Sequence, residues 1–211
     1  MAEVIQLTKD RRSRSTSASH GFGSATFYFD LASPHAYLAA ERVERRLGGA
    51  CWQPAVFLTG AQAEMEDVAR ATEIAMRRAR ELRMPLVWPE RFPAAVPGAM
   101  RVAMYAAEQG CGAAFAIAAG RLAFCGGFDI EDADMLAEAA AAAGLEVRDA
   151  LAAARAMDRD EEIVAAGRAV WADGGTELPA LRHESRLFCG EPQIANALSQ
   201  LGGSAERTHA S

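Results

Sequence analysis

The sequence predicts an α/β fold in which a strand–helix–strand unit and a C-terminal hairpin with its helix are separated by a large all-helical insertion. Three observations carry that prediction. An apolar run, Thr26-Phe27-Tyr28-Phe29, feeds straight into a helix start at Ser33-Pro34. Residues 61–172 hold helical periodicity and require no strand. Residues 178–189 then return to two short strand-like runs around His183-Glu184-Ser185.

The elements follow in order. Residues 25–30 form the first strand. Residues 34–47 form a helix whose apolar stripe is Tyr37, Leu38, Val43 and Leu47, closed by Gly48-Gly49. The second strand covers 51–59, and Pro54 pushes it to a sheet edge because it cannot donate to a ladder. Strand, helix and strand at this separation make a parallel, right-handed unit. Helices are expected at 62–83, 99–109, 113–124, 134–143, 147–156 and 159–172. A Pro-rich loop runs from Met84 to Pro93, and Asp129-Ile130-Glu131-Asp132 offers a cap. Strands at 178–182 and 186–189 make an antiparallel hairpin, and 192–201 a last helix. Residues 1–24 and 202–211 are polar and aperiodic and read as disordered tails. The frame is therefore 25–60 plus 173–201, the insertion 61–172. Strand–helix–strand followed by hairpin–helix is the thioredoxin order, so the expectation is a thioredoxin-like fold with its insertion between strand 2 and the C-terminal hairpin.

Composition narrows the function. The chain has 211 residues, is 51% hydrophobic and carries net charge −6. Residues 1–24 contribute Lys9, Arg11, Arg12 and Arg14 against Glu3 and Asp10, so the body is more acidic still. An acidic body without a basic stripe argues against nucleic acid as a partner. No apolar run reaches bilayer length, and the segment after Arg11-Arg12 lacks the apolar region of an export signal. The expectation is a cytoplasmic protein with no membrane partner. Cys51, Cys111, Cys125 and Cys189 form no C-x-x-C pair and match no zinc or disulfide framework. They read as small buried hydrophobes in a reducing compartment.

The chemistry centres on Ser33-Pro34. A helix N-terminus presents unpaired N–H groups and partial positive charge, which stabilise a thiolate or other anion. Ser at the N-cap with Pro at N1 is also what any helix start prefers, so Ser33 has two readings, cap or thiol partner. Across a thioredoxin-like frame the first helix start faces the loop before the third strand, here Leu178-Pro179. A proline there is commonly cis, and the residue before it offers its backbone to an extended thiol peptide. His35 reads as a solvated first-turn residue, with substrate orientation as the alternative. Trp88 and Phe92 plug the seam between the blocks in preference to roofing an aromatic substrate. Cys189 reads as a buried strand residue, and His183 as part of the hairpin turn. Glu161-Glu162 read as a solvated helix start, and no His–carboxylate set has metal-ligand spacing.

Phe-Asp-x-x-Ser-Pro-x-x-Tyr-Leu-Ala, at residues 29–39, resembles the N-terminal motif of the 2-hydroxychromene-2-carboxylate isomerases. These are relatives of kappa-class glutathione transferases and DsbA-like oxidoreductases. The similarity continues through Trp52-Gln53-Pro54, Arg91-Phe92-Pro93, Ala99-Met100-Arg101, Phe128-Asp129-Ile130 and Leu178-Pro179, spanning residues 25–201. The resemblance implies glutathione, or another low-molecular-weight thiol, as cofactor, held by Ser33, Leu178 and Pro179. Ser33 would stabilise the thiolate for addition to a conjugated, aromatic carbonyl substrate, and elimination after bond rotation would give the isomer. It also implies a homodimer acting on a small molecule.

The chain departs from the family at three places, one of them Ala94-Ala95-Val96, where an Asn common after the Phe-Pro loop is not matched. Glu177-Leu178-Pro179-Ala180-Leu181 stands where Gly-Val-Pro-Thr-Phe is usual. Pro192 and Gln193 replace the Asp-Arg pair that helps hold the γ-glutamyl end of glutathione, and Glu191 beside them is expected to repel its carboxylates. A catalytically inactive DsbA-like binding protein on the same frame is the alternative. Serine cannot form the disulfide of dithiol exchange, which disfavours a redox oxidoreductase.

Overall fold

A computed structural model describes residues 25–57 and 65–208. The tail expected at 1–24, the positions 58–64 and the last three residues lie outside the described residues. Strand β1 (Ala25–Phe29) buries Ala25, Phe27 and Phe29 on one face, following the two-residue period of a pleated strand. Helix α1 (Pro34–Leu47) returns along the sheet, and strand β2 (Cys51–Pro54) pairs parallel with β1, Phe27 opposite Trp52. The Phe27 and Trp52 rings meet edge to face at 4.8 Å. Burying side chains of this size contributes about 2–3 kcal/mol each.

The sheet order is β2-β1-β3-β4, with β3 (Ala180–His183) antiparallel to both β1 and β4 (Arg186–Cys189). β2 is an edge strand, as Pro54 demands. It is shorter than the expected 51–59: pairing stops at Pro54, with one further bond from the Ala55 N–H to the Phe29 carbonyl. Leu178 and Pro179, expected inside the hairpin, form the turn before β3.

Between β2 and β3 the described residues form α2 (Met65–Leu82), α3 (Pro97–Glu108), α4 (Gly112–Phe124), α5 (Ala133–Ala142), α6 (Val147–Arg155), a 3₁₀ turn (Met157–Arg159) and α7 (Asp160–Ala172). Asp132 caps α5 by accepting the Asp134 N–H at 2.8 Å. Helix α8 (Gly190–Thr208) begins two residues before the expected helix and runs through 202–208, where a tail was expected. Ser204, Ala205, Glu206 and Arg207 are all compatible with helix, and Gly202-Gly203 weaken it without breaking it.

The insertion approaches the frame very closely at Gly167. A Cβ on Gly167 of α7 would overlap the Val56 carbonyl oxygen, so only glycine lets α7 approach the chain leaving β2. Trp88 and Phe92 pack on each other at 4.5 Å and edge-on against Phe124, whose ring in turn meets Tyr37 of α1. The cysteine expectation needs correction. Cys189 is buried, but Cys51 and Cys125 are exposed because they sit at an edge-strand start and just past a helix end.

Candidate active site

β1 ends at Phe29 and a tight turn carries the chain into α1. The Ser33 N–H donates to the Asp30 carbonyl at 3.0 Å, and Asp30 Oδ1 accepts the Ala32 N–H at 2.8 Å. Ser33 has the extended backbone of an N-cap (φ −93°, ψ 121°), and its carbonyl accepts from Ala36 and Tyr37. Its hydroxyl makes no capping hydrogen bond, and the first turn of α1 contains no acidic residue. The cap role open to Ser33 is thus unused by its side chain. The helix end keeps its partial positive charge for an outside anion.

Antiparallel pairing places the head of β3 beside the exit of β1, with Tyr28 opposite Ala180. Ser33 and Leu178-Pro179 therefore lie at the same end of the sheet. The Leu178–Pro179 peptide bond is cis, and the Pro179 carbonyl accepts the Gly190 N–H at 2.8 Å. Leu178 packs in a small cluster with Tyr28, Phe57 and Val170.

The segment at 190–193 is spent on structure. Gly190 has φ +74°, and a Cβ there would strike the Glu177 carboxylate. Gln193 Oε1 accepts the Cys189 N–H at 3.3 Å. Glu191 is 0% exposed and ion-paired with Arg42 of α1 and Arg78 of α2. Burial pushes its carboxyl up, but the two guanidiniums outweigh that and hold it below the ordinary glutamate value. The expected repulsion of ligand carboxylates by Glu191 is therefore corrected: its charge is neutralised and turned inward. His35 also differs from expectation. It is half-buried, its Nδ1 is enclosed without a partner, and burial lowers its pKa despite the nearby carboxylates of Glu177 and Glu191. His183, expected in the hairpin turn, is the last residue of β3, and its buried Nε2 is also without a partner.

A cleft of about 380 Å³ opens where α3 and α7 face the end of β1 and the chain beyond β2. Val56, Phe57, Val96, Met100, Ile163 and Val164 give it an apolar wall, and Asp30 and Asp160 are its two carboxylates. Asp160 is held by Arg101 through paired bonds of 2.6 and 2.7 Å, which lower its pKa. Among the described residues Asp30 has no such cation. Burial raises its pKa to about 6, against the smaller opposing effect of the Ala32 N–H. Sequence reasoning placed Asp30 only within a motif. The missed signal was a carboxylate set between an apolar strand and Leu31-Ala32. Ser33 does not line this cleft, but Asp30 joins the cleft to the Ser33 turn. Among the described residues no group of histidine, cysteine and carboxylate side chains is arranged to hold a metal, and no helix is long and apolar enough to cross a membrane.

Comparison with solved structures gives the same frame. 2-Hydroxychromene-2-carboxylate isomerase superposes with a TM-score of 0.69 at 16% identity, covering 88% of this chain and 97% of that one. A probable DsbA oxidoreductase from Streptomyces coelicolor gives 0.64 at 18%, covering 86% and 90%. The cytosolic disulfide reductase DsbM from Pseudomonas aeruginosa, in a structure with GSH, gives 0.59 at 18%, covering 84% and 98%. No curated protein matches this chain. Identities this low establish the fold, which is thioredoxin-like with its helical insertion. A family model of the DsbA-like thioredoxin domain matches residues 25–174, most of the chain. The protein belongs to the DsbA-like thioredoxin domain family.

Proposed function

We propose that the protein is a thiol-dependent isomerase or transferase of the 2-hydroxychromene-2-carboxylate isomerase type. It takes glutathione or a similar low-molecular-weight thiol and acts on a conjugated, aromatic carbonyl compound. One observation carries the reading: the Ser33 hydroxyl, at a helix N-terminus without acidic residues, is not used as a cap and lies at the same sheet end as the Leu178–Pro179 turn. A bound thiol supplies a nucleophilic sulfur that adds reversibly to the conjugated system. Ser33 donates its hydroxyl hydrogen bond to that sulfur, and the helix end favours the ionised form. Leu178 and Pro179 align the backbone of the thiol peptide. Ser33 cannot take part in dithiol exchange, so disulfide chemistry at this position is outside the proposal. The same reading makes the protein a cytoplasmic homodimer acting on small molecules, without nucleic-acid or membrane partners. The fold it shares with a cytosolic reductase supports the compartment.

The test is the pKa of bound glutathione, followed by thiolate absorbance. The expected outcome is a depressed value that rises by about one unit or more in Ser33→Ala. No binding at millimolar glutathione sinks the proposal, and a pKa indifferent to Ser33→Ala leaves Ser33 as backbone only. A second reading, a binding protein without turnover, is favoured by the structural use of Gly190, Glu191 and Gln193, which leaves the usual γ-glutamyl pair unreplaced. Thiol binding with no isomerisation of any conjugated aromatic carbonyl would select it.

A further inference from the structure

We propose that Asp30 is the proton-transfer residue for a conjugated carbonyl substrate with an apolar body seated in the cleft between α3, α7 and the end of β1. The inference rests on the thiol-dependent reading above and adds to it a substrate class and an acid–base group.

The cleft has the volume of a small-molecule site, since such sites begin at about 300 Å³. Its apolar wall suits an aromatic or alicyclic body. Of its two carboxylates, Asp160 is committed to Arg101, which leaves no charge to offer a ligand. Asp30 accepts one backbone N–H at Oδ1 and has no ion-pair partner among the described residues. The charged groups facing it across the cleft are Asp160 from α7 and, behind that, Arg101 from α3. Asp30 and Ser33 are the first and last residues of one hydrogen-bonded turn, whose ends lie within about 7 Å. The proposal sets the substrate carbonyl beside Asp30, with its alkene toward the Ser33 end of that turn.

The step balances without an oxidant or reductant. The thiolate sulfur forms a bond to the β-carbon as the alkene electron pair moves toward the carbonyl. The Asp30 carboxyl delivers its proton to the carbonyl oxygen, giving a neutral enol and an Asp30 carboxylate. After rotation about the new single bond, the Asp30 carboxylate takes the proton back. The double bond reforms, the carbon–sulfur bond breaks and the thiolate leaves. Asp30 starts and ends protonated. Its pKa of about 6 sits close enough to neutrality for both halves of the cycle.

The experiment has two arms on the full-length protein. In the first, the Asp30 side-chain carbon is titrated by NMR with and without 4-phenyl-3-buten-2-one and no thiol. The expected result is that the enone binds and shifts the Asp30 titration to higher pH, in wild type and in Ser33→Ala alike. An Asp30 titration unmoved by the enone overturns the proposal. In the second, glutathione addition to the enone is followed from pH 5 to 9. Asp30→Asn is expected to lower kcat by about 100-fold or more, to erase the decline above pH 6 and to leave the bound thiolate pKa unchanged. Retention of kcat in Asp30→Asn overturns the assignment. If wild type binds no glutathione, the thiol reading fails, and the first arm decides the Asp30 proposal by itself.

Discussion

Glu191 and Asp30 are both carboxylates withdrawn from water, and their surroundings drive them in opposite directions. Glu191 stands at the start of α8 between the guanidiniums of Arg42 and Arg78, and it stays ionised well below neutrality. Asp30 stands at the end of β1 with one backbone N–H and an apolar cleft, and it holds its proton up to about pH 6. Burial penalises both charges. What differs is whether a counter-charge arrives with the burial. The first arrangement ties three helices together and leaves a fixed charge pattern. The second leaves a group that changes protonation within the working pH range, which chemistry requires and stability does not.

The largest expected effect comes from breaking the paired carboxylate. Glu191→Ala strands two arginines, one of which already has a buried, unpartnered Nε. It should cost about 3–5 kcal/mol, the usual penalty for removing one partner from a buried ionic cluster. Urea unfolding at pH 7 measures this, and a loss under about 1 kcal/mol would show the cluster to be open to water.

The unpaired carboxylate should behave in the opposite sense. Because the Asp30 pKa is raised from 3.8 to about 6 by burial, the folded state binds more protons than the unfolded state between those values. Its contribution to stability is fully present below pH 4, is lost as pH rises to 6, and stays lost above. A rise of that size corresponds to about 2–3 kcal/mol. Asp30→Asn should therefore stabilise the protein by about that amount at pH 7 and flatten its stability curve between pH 4 and 6, while reducing turnover. A variant that is less stable at pH 7 would contradict the account of Asp30.

Gly167 sharpens the comparison from the cleft side. Gly167→Ala sets a methyl group against the Val56 carbonyl and must displace α7, which carries Asp160, Ile163 and Val164. The expected cost is about 1–3 kcal/mol, as for other overpacked contacts. Water admitted beside Asp30 should also return its titration toward the ordinary aspartate range. The Arg42–Glu191–Arg78 cluster, on other helices, should be unaffected. Thermal unfolding and the Asp30 NMR titration together check both halves.

The frame was legible in the sequence because period and punctuation report it directly. Thr26 to Phe29 alternate, Ser33-Pro34 opens a helix, Pro54 excludes a central strand, and Asp132 sits where a cap belongs. The Ser33 and Leu178-Pro179 juxtaposition followed from strand order alone. What escaped was set by distant partners. Nothing in Gly190-Glu191-Pro192-Gln193 announces that Arg42 and Arg78, 149 and 113 residues away, would enclose Glu191. The apolar roof over Asp30 likewise comes from α3 and α7, so its raised pKa has no local sequence signature. Exposure of Cys51 and Cys125 depends on edge and helix-end placement, which composition does not encode.

His35 gives the smallest and most diagnostic test, because it opposes Asp30 across the same helix start. Burial lowers the His35 pKa below 6.5, outweighing the attraction of Glu177 and Glu191. A histidine held neutral by burial contributes fully above its unfolded value, and that contribution is lost as pH falls through 6.5. Asp30 contributes in the other direction, at low pH. The two groups should therefore pull wild-type stability in opposite directions as pH falls below 6.5. His35→Gln should remove the loss that sets in as pH falls through 6.5 and leave the Asp30 slope intact, read from urea midpoints at half-unit pH steps. If His35→Gln instead removes the slope below pH 6 that belongs to Asp30, the two groups titrate as one unit. The Ser33 turn and the α1 N-terminus would then respond to pH together.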